Sequence, residues 1–157
     1  MNREGSIRAA IALSIFVAAF ITLTVTSYTQ KSATWDEPQH LTAGYLALTR
    51  GDYRTDPEHP PFVRMWAALP LLAMPGIRAN TAVIDHISPT EWVGFRQFEF
   101  CHWFLYQQND ADRLLYASRF MIVLLGVGLG VFVFAWVHEL SGFWPATIAL
   151  GFYTLEP

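Results

Sequence analysis

The sequence predicts an all-α membrane protein, and three observations carry that prediction. Of the 157 residues, 53% are hydrophobic and only 15% charged, a balance unlike that of ordinary globular chains. Runs of bilayer length without a charged side chain alternate with polar sequence, and proline and glycine punctuate the rest where helices start and stop. The net charge is −3 and the ten Lys and Arg are scattered, so there is no basic face for nucleic acid. A single cysteine, Cys101, excludes an internal disulfide and a cysteine-based zinc site. Any metal here would need carboxylates and histidines.

The first element is a span over residues 9–30. No charged side chain lies between Arg8 and Lys31, and that length suits the roughly 20 residues a helix needs to cross about 30 Å of hydrocarbon. A cleaved signal peptide is the competing reading. The apolar run exceeds the about 7–15 residues of a signal core, and no small-x-small cleavage site follows it, which favours an uncleaved anchor.

An outer loop follows over residues 31–119, and apolar helical stretches interrupt it. Pro38 suits the first turn of a helix, after which Leu41, Tyr45 and Leu48 recur at helical spacing until Arg50-Gly51-Asp52 ends the run. Asp36 and Glu37 then stand at that helix start, where free N–H groups and the dipole stabilise carboxylates. Glu58-His59-Pro60-Pro61 fixes an extended or turn backbone and opens the apolar stretch 62–74, which is too short and too interrupted to span and reads as an interfacial or re-entrant helix. Ser88-Pro89-Thr90-Glu91 signals another helix start. Trp92, Phe95, Phe98, Phe100, Trp103, Phe104 and Tyr106 make that helix aromatic. It either lies among lipid headgroups or packs within a small extramembrane domain.

A second span is predicted over residues 120–138, where Gly126-x-x-x-Gly130 predicts close helix packing. A third apolar run covers 140–157, with Ser141-Gly142 as the break that lets the chain reverse, and is still apolar where the sequence stops, so truncation after the third span is expected. Arg3 and Arg8 favour a cytoplasmic N-terminus and an outer location for the loop, while the short turn at 138–142 carries no Lys or Arg.

The candidate chemistry lies in the loop. In Trp35-Asp36-Glu37-Pro38-Gln39-His40 both acids and the histidine share one helix face. If the prolines fold the loop back, Glu58-His59 joins them, giving a general base and an oxygen-nitrogen metal site. The bland alternative is a pair of capping acids in a solvated turn. His86, His102 and His138 have no evident partner and read as structural. Arg119, at the mouth of the second span, either anchors to lipid headgroups or binds a phosphate.

At Thr34-Trp35-Asp36-Glu37 and Glu58-His59-Pro60-Pro61-Phe62 the chain resembles the N-terminal part of the GT-C polytopic membrane glycosyltransferases, a class that includes protein O-mannosyltransferases and aminoarabinose lipid A transferases. Arg119 opening the second span, and Leu155-Glu156-Pro157 near the end of the third, are similar too. The resemblance implies a GT-C arrangement with membrane-lying outer helices, a donor sugar on polyprenyl or dolichyl phosphate, and a protein, lipid or glycan acceptor. It places the protein in the inner membrane as a multi-pass protein among membrane lipids. It implies that Asp36 is the catalytic carboxylate of an inverting transfer, with Glu37 its supporting neighbour. Glu58 matches a position that participates in a divalent-metal site, with His59 where a Lys is common, and Arg119 matches a lipid-phosphate ligand. An inactive fragment and a small membrane-anchored interaction protein are the competing functional readings.

Overall fold

The computed structural model describes residues 3–155, with the side chain of Phe95 outside the description; Glu156 and Pro157, at the close of the expected third span, also lie outside it. The described residues form helices and no strand, with 78% of the chain helical. The chain divides into two compact units, residues 1–30 with 123–157, and residues 31–122.

The first unit takes in helix α1 (Arg3–Tyr28), most of α7 (Ala111–Ser141) and α8 (Phe143–Leu155). Helices α1 and α7 are each long and apolar enough to cross a membrane, with 26 and 31 residues, or about 39 and 46 Å at ~1.5 Å per residue. A core helix of a soluble protein would be largely covered, whereas only 6% and 17% of their most apolar stretches are buried. The hydroxyls of Thr22, Thr24 and Thr26 in α1, and of Thr29 just beyond it, each donate to the carbonyl four residues back, which suits surroundings without water. Helix α8 has 13 described residues and is apolar throughout most of its length. Phe16, Phe134, Ala146 and Leu150 form the small core of this unit. The expected close packing at Gly126 and Gly130 is present. A Cβ on Gly126 would stand 2.9 Å from the Phe20 ring, and one on Gly130 would collide with the Phe16 ring. The Tyr153 hydroxyl donates to the Gly126 carbonyl at 2.8 Å.

The second unit is folded around its own core. Leu41 and Leu46 of α2 (Glu37–Arg50) meet Ala68 of α3 (Pro61–Ala68), Leu71 of the tighter turn that continues it, and Ile84 of α4 (Ala82–Asp85). Trp92, then Phe100, Phe104 and Leu105 of α6 (Gln97–Tyr106), and Leu114 and Leu115 at the start of α7 complete it. The aromatic helix therefore packs into the core of this unit along one face, while Phe98 and Tyr106 remain exposed on another.

Local signals account for these elements. Gly51 ends α2 in the left-handed region at φ 65° and donates its N–H to Ala47, a conformation glycine adopts without steric penalty. The Pro60-Pro61 pair starts α3. Ser88 and Glu91 form a reciprocal cap at the start of the short α5 (Pro89–Glu91). The single aromatic helix expected from Ser88 onward is instead broken: Gly94 at ψ −138° kinks the turn 92–96, so α6 begins at Gln97. Helices α2 and α3 approach so closely at Gly44 that a Cβ there would lie 2.6 Å from the Arg64 carbonyl carbon.

Candidate functional site

The site is built where the start of α2 faces the loop that precedes α3. Asp36 is the residue before α2, and its carbonyl accepts the N–H groups of Gln39 and His40 at 3.0 Å each. That turn places the His40 ring over the Asp36 side chain, with Nε2 to Oδ2 at 3.5 Å, the i,i+4 relation read from the sequence. The Asp36 side chain is 60% exposed. Hydrogen bonding from its own backbone, then from the Thr34 hydroxyl at 3.1 Å, holds its carboxyl below the ordinary Asp range. It is a fixed, ionised carboxylate open to solvent.

The neighbouring acid has a different environment. Glu37 accepts both arms of the Arg119 guanidinium at 2.7 Å each, while Arg119 also donates to the carbonyls of Lys31 and Ser32 at 2.8 Å. Glu37 further accepts the Thr34 N–H at 3.1 Å. One bidentate pair thus ties residues 31–37 to the start of α7. The structure brings Glu37 and Arg119 together and gives Arg119 protein partners on several of its donors.

On the far side of His40 stands Asp56, a residue the sequence reading did not single out. Its side chain is 4% exposed, and its Oδ2 lies 2.8 Å from His40 Nδ1 while Oδ1 lies 2.6 Å from His59 Nδ1. Arg64, itself buried, donates to the Asp56 carbonyl and to Oδ2 at 3.0 Å. The Asp56 backbone is in the left-handed region at φ 54°, and its N–H donates to Gln97 Oε1, which also accepts from the Gln39 side chain. Burial alone would raise the Asp56 pKa, but hydrogen bonds from His59 and His40, and then their charge, outweigh it and hold the carboxyl below its usual range. The same bond raises the His59 pKa, with the charge of Asp56 and then that of Glu58 adding to it.

His40, Asp56 and His59 each offer a donor atom, all within 4.8 Å of one another, so this trio fits a metal ion. Glu58, the expected ligand, is exposed and stands outside the trio. The prolines fold the loop back as anticipated, but they deliver Asp56 and His59 to His40. The signal was present in Asp56-Pro57-Glu58-His59, where an acid three residues before a histidine is bent toward it, and in Arg64, a charge within an apolar run that calls for a buried partner.

Thr34, Trp35, Pro38 and Gln39, which flank Asp36 and Glu37 in sequence, line a cavity of about 990 Å³ together with Trp92, Arg96, Trp103 and Tyr106. Trp35 is 88% exposed. An aromatic wall with a few polar groups is the form small-molecule sites take. Cys101 lies on the same wall, buried, with its thiol pushed up to about 12 by burial, which keeps it protonated at neutral pH. Compared with protein-family models, curated proteins and solved structures, the chain gives no significant match to any of them.

Proposed function

We propose that this chain is the N-terminal portion of a GT-C type membrane glycosyltransferase, which moves a sugar from a polyprenyl-phosphate-type lipid donor to a protein, lipid or glycan acceptor at the outer membrane face. The observation that carries the reading is Asp36: an ionised carboxylate, held by Thr34 and beside His40, eight residues beyond the end of the first bilayer-length helix and next in sequence to Trp35, which lines the aromatic cavity. A lipid-linked donor keeps its tail in the bilayer and presents its anomeric carbon near the headgroups, so the accepting base must be held close to the end of a span.

In the proposed step an acceptor hydroxyl donates a hydrogen bond to Asp36. Its oxygen attacks the anomeric carbon as the bond from that carbon to the phosphate oxygen breaks, the proton passes to Asp36, and the lipid phosphate leaves from the opposite face with inversion. A carboxylate held below its ordinary pKa is a weak base toward a free alcohol. It becomes competent as the hydroxyl acidifies with C–O bond formation, and until then it serves to orient the acceptor. Glu37 supports this by holding Arg119 and the 31–37 segment in place. Membranes containing the protein, supplied with polyprenyl-phosphate-linked sugars, are expected to label an acceptor. Asp36→Asn is expected to lower the rate by ~10²–10⁴-fold, and transfer by that variant at the wild-type rate would remove the assignment.

A second reading is favoured by one observation: residues 31–122 have a core of their own and leave Trp35 bare, as a membrane-anchored interaction module would. Under that reading, Trp35→Ala abolishes capture of a partner while no sugar transfer is detected in any acceptor fraction.

A further inference from the structure

We infer that His40, Asp56 and His59 form a binding site for one divalent transition-metal ion, with Asp36 behind His40 as its outer-shell carboxylate. The inference does not depend on the transferase reading.

Two imidazoles and one carboxylate make a borderline donor set. It suits Zn²⁺, Co²⁺ or Mn²⁺, whereas Mg²⁺ and Ca²⁺ favour sites built of oxygen. Both ring Nδ1 atoms face the same carboxylate, at 2.8 and 2.6 Å on its two oxygens. Without an ion, a ring proton lies on each of those lines. An ion bonded at about 2.1 Å to nitrogen and oxygen in tetrahedral geometry sets them about 3.4 Å apart, so the 2.8 and 2.6 Å pairs open by about 0.6 and 0.8 Å as the ion takes the place of the ring protons, within a trio whose donor atoms all lie within 4.8 Å of one another.

The rest of the arrangement is what a metal-binding histidine requires. When Nδ1 binds the ion, the ring proton moves to Nε2, and for His40 that atom faces Asp36 Oδ2 at 3.5 Å. A carboxylate on the other nitrogen of a ligating histidine fixes its orientation and raises its basicity. Asp56 is equally constrained. Arg64 donates to its carbonyl and to Oδ2, its N–H is held by Gln97, and its backbone sits at φ 54°, a conformation uncommon for a residue with a side chain. Strain of that kind at a buried carboxylate is retained where the surroundings over-determine it. The Arg64 charge opposes the ion, so affinity below that of closed structural zinc sites is expected. Three protein ligands leave coordination positions open, and His59, 58% exposed, lies on the solvent side through which an ion and water enter.

The test uses the purified chain in detergent, carrying no histidine tag, stripped with chelator and titrated with Co²⁺. One equivalent per chain is expected to bind saturably, with visible d–d bands that Zn²⁺ then bleaches. His59→Ala removes an exposed ligand without opening the core and is expected to weaken Co²⁺ binding at least ~10-fold, with its far-UV circular dichroism unchanged. His102→Ala, a histidine elsewhere in the same unit, is expected to leave binding unaltered. Failure of the wild-type chain to show a saturable band, or wild-type affinity in His59→Ala, overturns the inference. The readout is the metal spectrum, so either result leaves the Asp36 transfer assay to stand or fall by itself.

Discussion

Replacing Gly44 by Ala tests whether α2 and α3 are packed backbone to backbone behind the candidate site. The added Cβ would lie 2.6 Å from the Arg64 carbonyl carbon and 3.1 Å from Ala68 Cβ, where ordinary contact begins at 3.4 Å. The helices must therefore separate by at least 0.8 Å (3.4 − 2.6), and the obstacle is backbone that no rotamer change can clear. Overpacking of this kind costs about 1–3 kcal/mol, against a helix-propensity gain of up to ~1 kcal/mol for Gly to Ala. A backbone obstacle belongs at the upper end of the first range, so the net destabilisation is about 1–2 kcal/mol. The assay is built into the chain: Cys101 is the sole cysteine and is buried, so a thiol-reactive fluorogenic dye reports the melting of this unit in detergent. At ~4–8 °C per kcal/mol for a unit of this size, the midpoint should fall by at least several degrees. Gly128→Ala is the control, because a Cβ there meets nothing within 4 Å. An unchanged or raised midpoint for Gly44→Ala, with Gly128→Ala also neutral, would refute the close approach.

Two further outcomes follow from the same geometry. Arg119→Lys exchanges a bidentate fork on Glu37, both arms at 2.7 Å, for a point charge, and is expected to cost about 1.5–3 kcal/mol. In a double-mutant cycle on melting midpoints, Glu37→Gln should cost far less in the Arg119→Lys background than alone, and additive losses would contradict the pairing. The Cys101 thiol, pushed up from 9.0 to about 12 by burial, retains a proton that the unfolded chain releases. Between those values the unfolded state binds fewer protons than the folded one, so stability is lost as pH rises, by roughly 1 kcal/mol per pH unit. Denaturant titrations at increasing alkaline pH should show a steeper decline for the wild type than for Cys101→Ala, and parallel declines would disprove burial of the thiol.

Periodicity exposed the long elements and missed the partners. The two bilayer-length helices were legible because nothing but length and the absence of charge defines them; Arg3–Tyr28 begins before the run read over 9–30 and stops two residues short of its end, and Ala111–Ser141 overruns 120–138 at both ends, where polar residues continue the helix. The start of α2 was legible from Pro38, and its end from Gly51, because both signals are local. The break at Gly94 was not, since a glycine within an aromatic run carries no mark of the ψ it will adopt. The aromatic helix left two readings open for a related reason. An amphipathic aromatic face suits lipid headgroups and a protein core equally, and the choice depends on Ile84, Leu71 and Leu115 arriving from distant segments.

The same division holds within the candidate site. The pairing of Asp36 with His40 is a four-residue relation and could be read directly, whereas Asp56 meets His40 across sixteen residues and Arg119 meets Glu37 across eighty-two. Sequence therefore ranked the carboxylates by their neighbours along the chain, and the fold reorders them by the cations they meet. Glu37 is neutralised by Arg119, Asp56 by Arg64 and two imidazoles, and Asp36 keeps solvent on one side with the Thr34 hydroxyl and the His40 ring on the other. A group that accepts a proton or a substrate hydroxyl must have lone pairs left over after folding. Of these three acids Asp36 is the one left open to solvent, which is why the proposed transfer gives the acceptor hydroxyl to Asp36 and the proposed metal site gives the ion to Asp56.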